Sequence, residues 1–404
     1  MGTEDRTGSC AQRIPRLETG AAASTIPNVS AMLRATAARA RENAVLVVAV
    51  ALATASMLAV PPDAAYLGYF DAYTLTMLFC MLATITALQR ARFFVAVATR
   101  IVRALRTVRA LGLGLVLTTA AMSALFTNDM ALIAMLPIAF VALDSTGSTR
   151  HLAFVFVMMA IGANLGGMIT PFGSPHNLYL HSFYSIPSGE FVGIMAIPFF
   201  VSLVLMTGLC LLLPNTPIEA PRVDLAFSPR LVLVYLVLFA LTLLLVLRVL
   251  PVWAGVAVPL VLIVTDRGAL ARLDWSLLGT FVAFFVFAGN LARISALSEA
   301  VHWLLGGGVL LASALLSQLI SNVPVAILLS HFTDDYPQLL LGVNVGGVGT
   351  LVASLASLIA LAHYRRARPG RTWAFVGLFS AVNLGFLAVL LALTTGLTAM
   401  GLYS

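Results

Sequence analysis

One nine-residue motif occurs twice in the chain, and both copies interrupt strongly apolar segments. Residues 162–170 read GANLGGMIT and residues 342–350 read GVNVGGVGT, so both fit G-x-N-x-G-G-x-x-T, 180 positions apart. Glycine and asparagine are poor helix formers. Two matched breaks, one in each half, are typical of a membrane transporter built from two repeats, with its site between them.

A second pair of motifs precedes the first. Ser123 is followed by Thr127 and Asn128, and 194 positions later Ser317 is followed by Ser321-Asn322 in the same spacing. Each motif joins two short apolar arms. Non-helical backbone at membrane depth is tolerated only inside protein or beside a water-filled cavity. We therefore predict two re-entrant hairpins, over 110–143 and 303–331.

The composition supports a protein that lies mostly within a membrane. Only 10% of the 404 residues are charged and 60% are hydrophobic, whereas about a quarter of a soluble domain is charged. The predicted fold class is an all-α polytopic membrane protein with two inverted repeats, each with a re-entrant helical hairpin and a discontinuous transmembrane helix. The predicted parts are a disordered cytoplasmic leader (1–42), a first repeat (43–213) with broken helix 152–180, a cytoplasmic linker (214–230), and a second repeat (231–404) with broken helix 338–361.

The positions of the arginines predict the topology. All 23 basic residues are arginine, and all but Arg248 and Arg293 fall in stretches that can share one side of the membrane. Cytoplasmic loops carry such an excess, so the N-terminus is predicted inside and the C-terminus outside. The two motif copies then run in opposite directions. Six arginines between residues 89 and 109 predict an amphipathic helix at the cytoplasmic interface; a surface that binds anionic lipid or a partner remains open.

The tip of the first hairpin carries candidate transport chemistry. Thr127, Asn128 and Asp129 lie where the apolar arms meet. Asn and Asp cap helix starts, and their oxygens also suit sodium, while free helix N-termini suit an anion. Asp129 is the only acid in the predicted membrane core, where a charge costs roughly 2.5–3.5 kcal/mol and usually marks an ion or proton pathway. The second tip, Ser321-Asn322, has no acid beside it.

Further candidates follow the first break. Two prolines and a glycine near residues 171–175 prevent a continuous helix. The second copy predicts a more simply helical continuation, in which Ser354 bonds backbone or neighbouring helices. The predicted substrate-binding residues are Thr127, Asn128, Asp129, Thr170, Ser174, His176, Asn177, Ser321, Asn322 and Thr350. The chain lacks G-x-S-x-G, H-E-x-x-H and P-loop signatures, so we predict neither an enzyme nor a nucleotide-driven pump.

At these residues the chain resembles the ion transporter superfamily, and in particular permeases with a citrate-transporter-like domain. That group includes divalent anion/sodium symporters and arsenite permeases. The resemblance covers roughly residues 43–400 and implies a homodimer with a scaffold and a mobile transport domain. It also implies sodium sites, framed by Ser123, Asn128 and Gly162 with Asn164, and by Ser317, Asn322 and Gly342 with Asn344. Dicarboxylate members carry Ser-Asn-Thr at both tips. The tips here, Thr-Asn-Asp and Ser-Asn-Val, are more similar to the arsenite-permease and sodium/proton-antiporter branches.

The sequence thus predicts a secondary active transporter in the inner membrane. It would move a small, anionic solute by alternating access, coupled to sodium or protons, with no other cofactor and no nucleic-acid partner. A sodium/proton antiporter or arsenite-type efflux permease using Asp129 is the alternative, and a membrane-embedded enzyme or receptor is a more distant one.

Overall fold

Helices make up most of the part of the chain that the structure describes, because apolar segments in a bilayer must satisfy their backbone hydrogen bonds internally. The structure is a computed structural model that describes residues 44–218 and 229–403. The predicted leader and most of the predicted linker lie outside these residues. The α-helices are α1 Ala44–Ala59, α2 Ala72–Arg90, α3 Phe93–Val102, α4 Val108–Leu125, α5 Asn128–Ser145, α6 Leu152–Gly167, α7 Pro175–Phe183, α8 Ser188–Cys210, α9 Pro229–Val246, α10 Ala257–Thr265, α11 Arg267–Ala271, α12 Trp275–Ala292, α13 Ser295–Leu305, α14 Val309–Ile320, α15 Asn322–Leu329, α16 Tyr336–Val345, α17 Leu355–Ala367 and α18 Thr372–Ala399.

Seven helical segments in the described residues are long and apolar enough to cross a membrane. An eighth would be the pair α13 and α14, which bend by 114° at a short break. Together with the helical content, they confirm the predicted all-α polytopic membrane fold. The seven segments are Ala72–Arg90, Val108–Leu125, Asn128–Ser145, Thr149–Gly167, Ser188–Cys210, Trp275–Ala292 and Thr372–Ala399.

The first hairpin differs from its predicted form in the length of its arms. Helices α4 and α5 each have 18 residues, so both are long enough to cross, and shortness does not support re-entry here. In the second hairpin the arms are shorter, since α14 has 12 residues and α15 has eight. Its first arm starts at Val309 rather than at residue 303, after the glycine-rich bend. Re-entry remains a prediction.

Both broken helices break later than the motifs suggested. The helix α6 includes the first six residues of the first motif and ends at Gly167, and the break covers residues 168–174. In the second copy the break covers residues 346–354, before α17 starts at Leu355. The expectation of a simply helical continuation there was wrong: Ser354 has extended backbone and its side chain caps Ser357 N–H. The first break contains Pro171 and Gly173, and the second contains Gly346, Gly347 and Gly349, so both fall where helix-breaking residues lie close together.

Equivalent residues of the two halves make equivalent helix contacts. A Cβ atom on Gly166 would lie 2.5 Å from Ala120 Cα, and one on Gly346 would lie 2.9 Å from Ala314 Cα. Ala120 and Ala314 are 194 positions apart, while the glycines are 180 apart, which are the offsets of the two sequence motifs. The glycines thus allow α4 to approach α6, and α14 to approach α16, at backbone contact. This repetition is internal, and the direction of each copy through the membrane remains a prediction.

Two ion pairs join the halves in a reciprocal way. Arg90 at the end of α2 forms a bidentate pair with Asp266, with distances of 2.7 and 3.1 Å. Arg293, just after α12, does the same with Asp63, at 2.6 and 3.1 Å. Both arginines and both aspartates are 203 positions apart. The Arg293 guanidinium lowers the pKa of Asp63.

The same offset relates the starts of the two long helices. Asp71 caps α2 by accepting from Thr74 N–H, and Asp274 caps α12 by accepting from Leu277 N–H. A carboxylate at a helix start accepts an otherwise unpaired N–H and opposes the positive end of the helix dipole. The offset of 203 positions therefore extends the internal repetition to α2 and α12, outside the two motifs.

Candidate functional site

Each hairpin tip is held against the break of its own half. The backbone N–H of Asn128 donates to the carbonyl oxygen of Gly173 at 3.0 Å, and that of Asn322 donates to Ala353 at 3.0 Å. The donors are 194 positions apart and the acceptors 180. Because a break exposes carbonyls that no helix satisfies, the first N–H of the returning arm supplies the missing donor. Tip and break are therefore one structural unit in each half.

The two breaks are joined by the motif asparagines. The side-chain nitrogen of Asn164 donates to Gly347 O at 3.1 Å and to Ser354 Oγ at 2.8 Å, both in the second half. In return, the side-chain nitrogen of Asn344 donates to Asn177 Oδ1 at 2.6 Å in the first half. Asn164 thus satisfies the second break, Asn344 bonds the first turn of α7 just after the first break, and the two breaks meet at a buried polar cluster.

His176 belongs to the same cluster. Its Nε2 lies 3.2 Å from Asn344 Oδ1 and 3.3 Å from Ser174 Oγ. Asn177 also donates to Gly167 O at 3.2 Å. His176 and Asn177 therefore help to fix the crossing of the breaks. The sequence predicts both as substrate-binding residues, and that role remains a prediction.

Two oxygens at the first tip are buried without a partner. Among the residues that the structure describes, neither Asn128 Oδ1 nor Asp129 Oδ1 accepts a hydrogen bond, while Asn128 Nδ2 donates to Asn164 Oδ1 at 3.3 Å. A buried acceptor left unpaired costs roughly 1–3 kcal/mol. Both oxygens are able to coordinate a cation or accept from a donor group, and the bond from Asn128 to Asn164 places the first of them beside the crossing.

The predicted hydroxyl ligands mostly bond to backbone carbonyls. Thr170 Oγ1 donates to Ala124 O at 2.6 Å and Thr350 Oγ1 donates to Gln318 O at 2.9 Å, at the same pair of offsets. Each threonine thus ties its break to the first arm of its hairpin.

The serines of the two predicted sodium frames differ. Ser123 donates to Ala163 O across the helix pair, whereas Ser317 donates to Ser313 O within its own helix. Gly162 and Gly342 lie at close helix contacts, since a Cβ atom would be 3.2 Å from Val116 O and 2.6 Å from Leu310 O. The two serines therefore bond backbone carbonyls and the two glycines lie at close helix contacts, and the sodium roles of all four remain predictions.

Helix N-termini lie beside the cluster. The helices α5, α7, α15 and α17 begin at Asn128, Pro175, Asn322 and Leu355, directly after the tips and breaks. Only α17 has a side-chain cap among these four. The N–H groups that follow Asn128, Pro175 and Asn322 have no side-chain cap, and each N-terminus carries a partial positive charge of about half an electron. The arrangement can therefore attract an anion while the tip oxygens attract a cation.

Two features of the site were not predicted. Gln318 donates to Gly346 O at 2.8 Å and accepts from Thr350 N–H at 2.8 Å, so its side chain satisfies the second break. The sequence signal that could have identified Gln318 is the presence of a polar residue in an apolar hairpin arm. Ser321 has φ 76° and ψ 150°, a region that side-chain-bearing residues rarely adopt, and its sequence neighbours gave no sign of it.

The comparisons with known proteins agree on the class. The model of a citrate transporter family (CitMHS) matches residues 31–339. This chain belongs to that family. An uncharacterized transporter of Methanocaldococcus jannaschii is 31% identical over 295 residues, 71% of this chain and 80% of the relative. The inner membrane protein YbiR of Escherichia coli is 29% identical over 320 residues, 75% and 82% of the two chains.

A solved structure supports the fold. The YdaH transporter of Alcanivorax borkumensis, whose topology is described as unusual, superposes with a TM-score of 0.53 over 84% of this chain and 88% of its own. At 14% identity this likeness concerns the fold alone. Family membership confirms the resemblance to an ion transporter superfamily permease and makes the protein a multi-pass membrane transporter.

Proposed function

We propose that the protein is a secondary active transporter that moves a small anionic solute, with a cation, through the crossing of the two breaks. The observation that supports this proposal most directly concerns the crossing. Buried oxygens of Asn128 and Asp129 that have no hydrogen-bond partner lie there together with helix N-termini that have no side-chain cap. Discontinuous helices at a repeat interface bind anionic groups at their N-termini and coupling cations at freed oxygens. Coupled binding of both ions is the basis of symport.

The cation would be sodium or a proton. Amide, carboxylate and carbonyl oxygens are hard ligands suited to sodium, and Asn128 Oδ1 is available to it. No group of three or more His, Cys, Asp or Glu residues that could hold a metal occurs in the described parts of the chain. A weakly held monovalent ion fits such a site better than a resident divalent one.

Unequal packing of the two tips supports alternating access. Phe126, before the first tip, is 7% exposed and packs edge-to-face on Phe94 and in a tilted arrangement on Phe239, at 4.7 and 4.8 Å between ring centroids. Ile320, its equivalent in the second hairpin, is 45% exposed. Internal repeats with different environments are typical of a transporter in one of two related states. In the other state, Ile320 would be covered and Phe126 uncovered.

The remaining features complete the proposal. The transporter acts in the inner membrane as a homodimer, with the N-terminus in the cytoplasm and the C-terminus outside. It has no enzymatic activity and no nucleic-acid partner. The opposite directions of the two halves follow from the arginine distribution.

An antiporter or an arsenite-type efflux permease is the second candidate function, and one observation favours it. Asp129 is acidic and one of its oxygens is buried without a partner, yet its counterpart in the second half is Val323. A single buried carboxylate in a membrane protein commonly carries protons or cations. In this case the cation at Asp129 would itself be a transported species.

A binding screen separates the candidates. Purified protein is heated with dicarboxylates, sulfate, arsenite, sodium or lithium, because a ligand that binds the folded state raises the melting temperature. Symport predicts that one anion stabilises the protein and that sodium or a lower pH strengthens its effect. Antiport predicts stabilisation by sodium or lithium alone. An absence of stabilisation by every ligand in the screen would contradict both.

Variants then test the site itself. In proteoliposomes loaded for uptake of the stabilising solute, Asn128→Ala and Asn344→Ala should abolish uptake. Asp129→Asn should alter its pH or cation dependence. Asn383→Ala is the matched control, because Asn383 is a buried asparagine of α18 that bonds only its own helix. Wild-type uptake by Asn128→Ala and Asn344→Ala would remove the proposed site.

A further inference from the structure

An apolar groove separates α3 from the first arm of the first hairpin. It has a volume of about 390 Å³, and its lining includes Phe94 and Ile101 on one side and Ala121, Leu125 and Phe126 on the other. This volume is within the roughly 300–1,000 Å³ of ligand pockets. Leu125, an apolar residue of the groove, is 55% exposed. No other segment of the described structure therefore covers this part of the groove.

The two ends of the groove differ. At one end Phe94 packs on Phe126, the residue before the first tip. At the other end lies Ile101, which follows the exposed Arg100. From Phe93 to Ile101 the helix rises about 12 Å, comparable to the length of one acyl chain, since two chains end to end make up the hydrocarbon thickness of about 30 Å. One acyl chain can therefore run from the arginine end to the hairpin tip.

The positive charge near the Ile101 end of the groove favours an anionic headgroup. The stretch 89–109 contains six arginines and no acid. Arg100 and Arg106 are exposed, and neither guanidinium forms an ion pair with another residue of the described ranges 44–218 and 229–403. Arg90, in contrast, is paired with Asp266. Basic residues on an amphipathic helix attract anionic phospholipid.

We propose that this groove is a binding site for one anionic phospholipid, whose acyl chain lies between α3 and α4 and whose phosphate is bound by Arg100 and Arg106. The bound chain contacts Phe126 and so touches the hairpin that carries Asn128. On this proposal the arginine-rich stretch is a surface that binds anionic lipid, and the site is independent of which solute is transported.

The test uses the full chain, delipidated in neutral detergent, with dioleoyl-phosphatidylglycerol or dioleoyl-phosphatidylcholine added. The phosphatidylglycerol should raise the melting temperature of the wild type more than the phosphatidylcholine does. Arg100→Gln should raise the half-saturating phosphatidylglycerol concentration roughly fivefold, and the double variant with Arg106→Gln roughly twentyfold. Arg365→Gln with Arg366→Gln, exposed arginines at the end of α17, should respond like the wild type.

Filling the groove tests the acyl chain. Ala121→Trp and Leu125→Trp place bulk at exposed groove positions and should abolish the response to phosphatidylglycerol, while Leu260→Trp on α10 should not. Using two groove variants guards against misfolding of one. Equal stabilisation by both lipids, or an unchanged response of the double arginine variant, would overturn the proposal. An unchanged response of both tryptophan variants would show surface association only and would also overturn it.

Discussion

Asn164 and Ser354 are 190 positions apart, yet the amide nitrogen of the first donates to the hydroxyl of the second at 2.8 Å. The same nitrogen reaches Gly347 O. A single side chain of the first half therefore satisfies the second break on both sides. The bond explains why an asparagine, a poor helix former, stands within the last turn of α6.

Asn164→Ala should destabilise the fold strongly, because it leaves the buried carbonyl of Gly347 without its donor at a cost of roughly 1–3 kcal/mol. Thermal unfolding in detergent measures the loss. Asn383→Ala removes a buried asparagine whose amide bonds only Phe379 O of its own helix, so its loss should be smaller. Equal melting temperatures of the two variants would show that the hydrogen bonds of Asn164 across the crossing stabilise the fold no more than a bond within one helix does.

Gly166→Ala and Gly346→Ala should each cost about 1–3 kcal/mol, because the added methyl group meets backbone atoms of Ala120 or Ala314 that cannot move aside. The matched control is Gly208→Ala in α8, where nothing lies within 4 Å. There alanine favours the helix by roughly 0.5–1 kcal/mol. Melting temperatures should therefore fall for the first two variants and hold or rise for the third.

The two tips should respond oppositely to glycine. At Ser321, with φ 76°, Ser321→Gly should be more stable than Ser321→Ala by about 1 kcal/mol, because only the alanine keeps the strain. At Thr127, with φ −147°, Thr127→Ala should be the more stable, since glycine adds freedom to the unfolded chain. Both variants at each position lack the hydroxyl group, so the difference in stability between glycine and alanine does not include its loss. The same order at both positions would contradict this account of Ser321.

Asp63→Asn should lower the melting temperature near neutral pH and have no effect in strong acid. The lowered pKa of Asp63 means that its ion pair stabilises the fold above the ordinary carboxyl pKa of about 3.9. That stabilisation is lost as the pH falls through the lower, folded value. Melting curves from about pH 7 down to pH 2 measure this convergence. Glu299→Gln is the control, since exposed Glu299 forms no ion pair in the described residues; a parallel pH profile would argue against the assignment.

The sequence predicted the class of fold, and its doubled local motifs singled out the segments that meet at the crossing, while the binding of a solute there remains a prediction. Asn164 and Asn344 stood out as polar residues in apolar helices, and the structure places both at the crossing. The breaks themselves were predicted too early, since a helix can continue through Gly162 when a neighbouring backbone needs the space. Gln318 escaped notice because its partners, Gly346 and Thr350, are distant in sequence. Such long-range bonds follow from packing, which no local pattern encodes.

The reciprocal ion pairs have a consequence for the origin of the molecule. Asp63 and Arg90 occupy the same repeat positions as Asp266 and Arg293, and each acid pairs with the base of the other half. In a twofold dimer, residue i contacts residue j and residue j contacts residue i. Two separate copies of a single half, carrying only one aspartate and one arginine, would therefore form both bridges. The reciprocal pairing is what duplication of a self-pairing half would produce, and the joined chain carries different residues at its two tips, Asp129 and Val323.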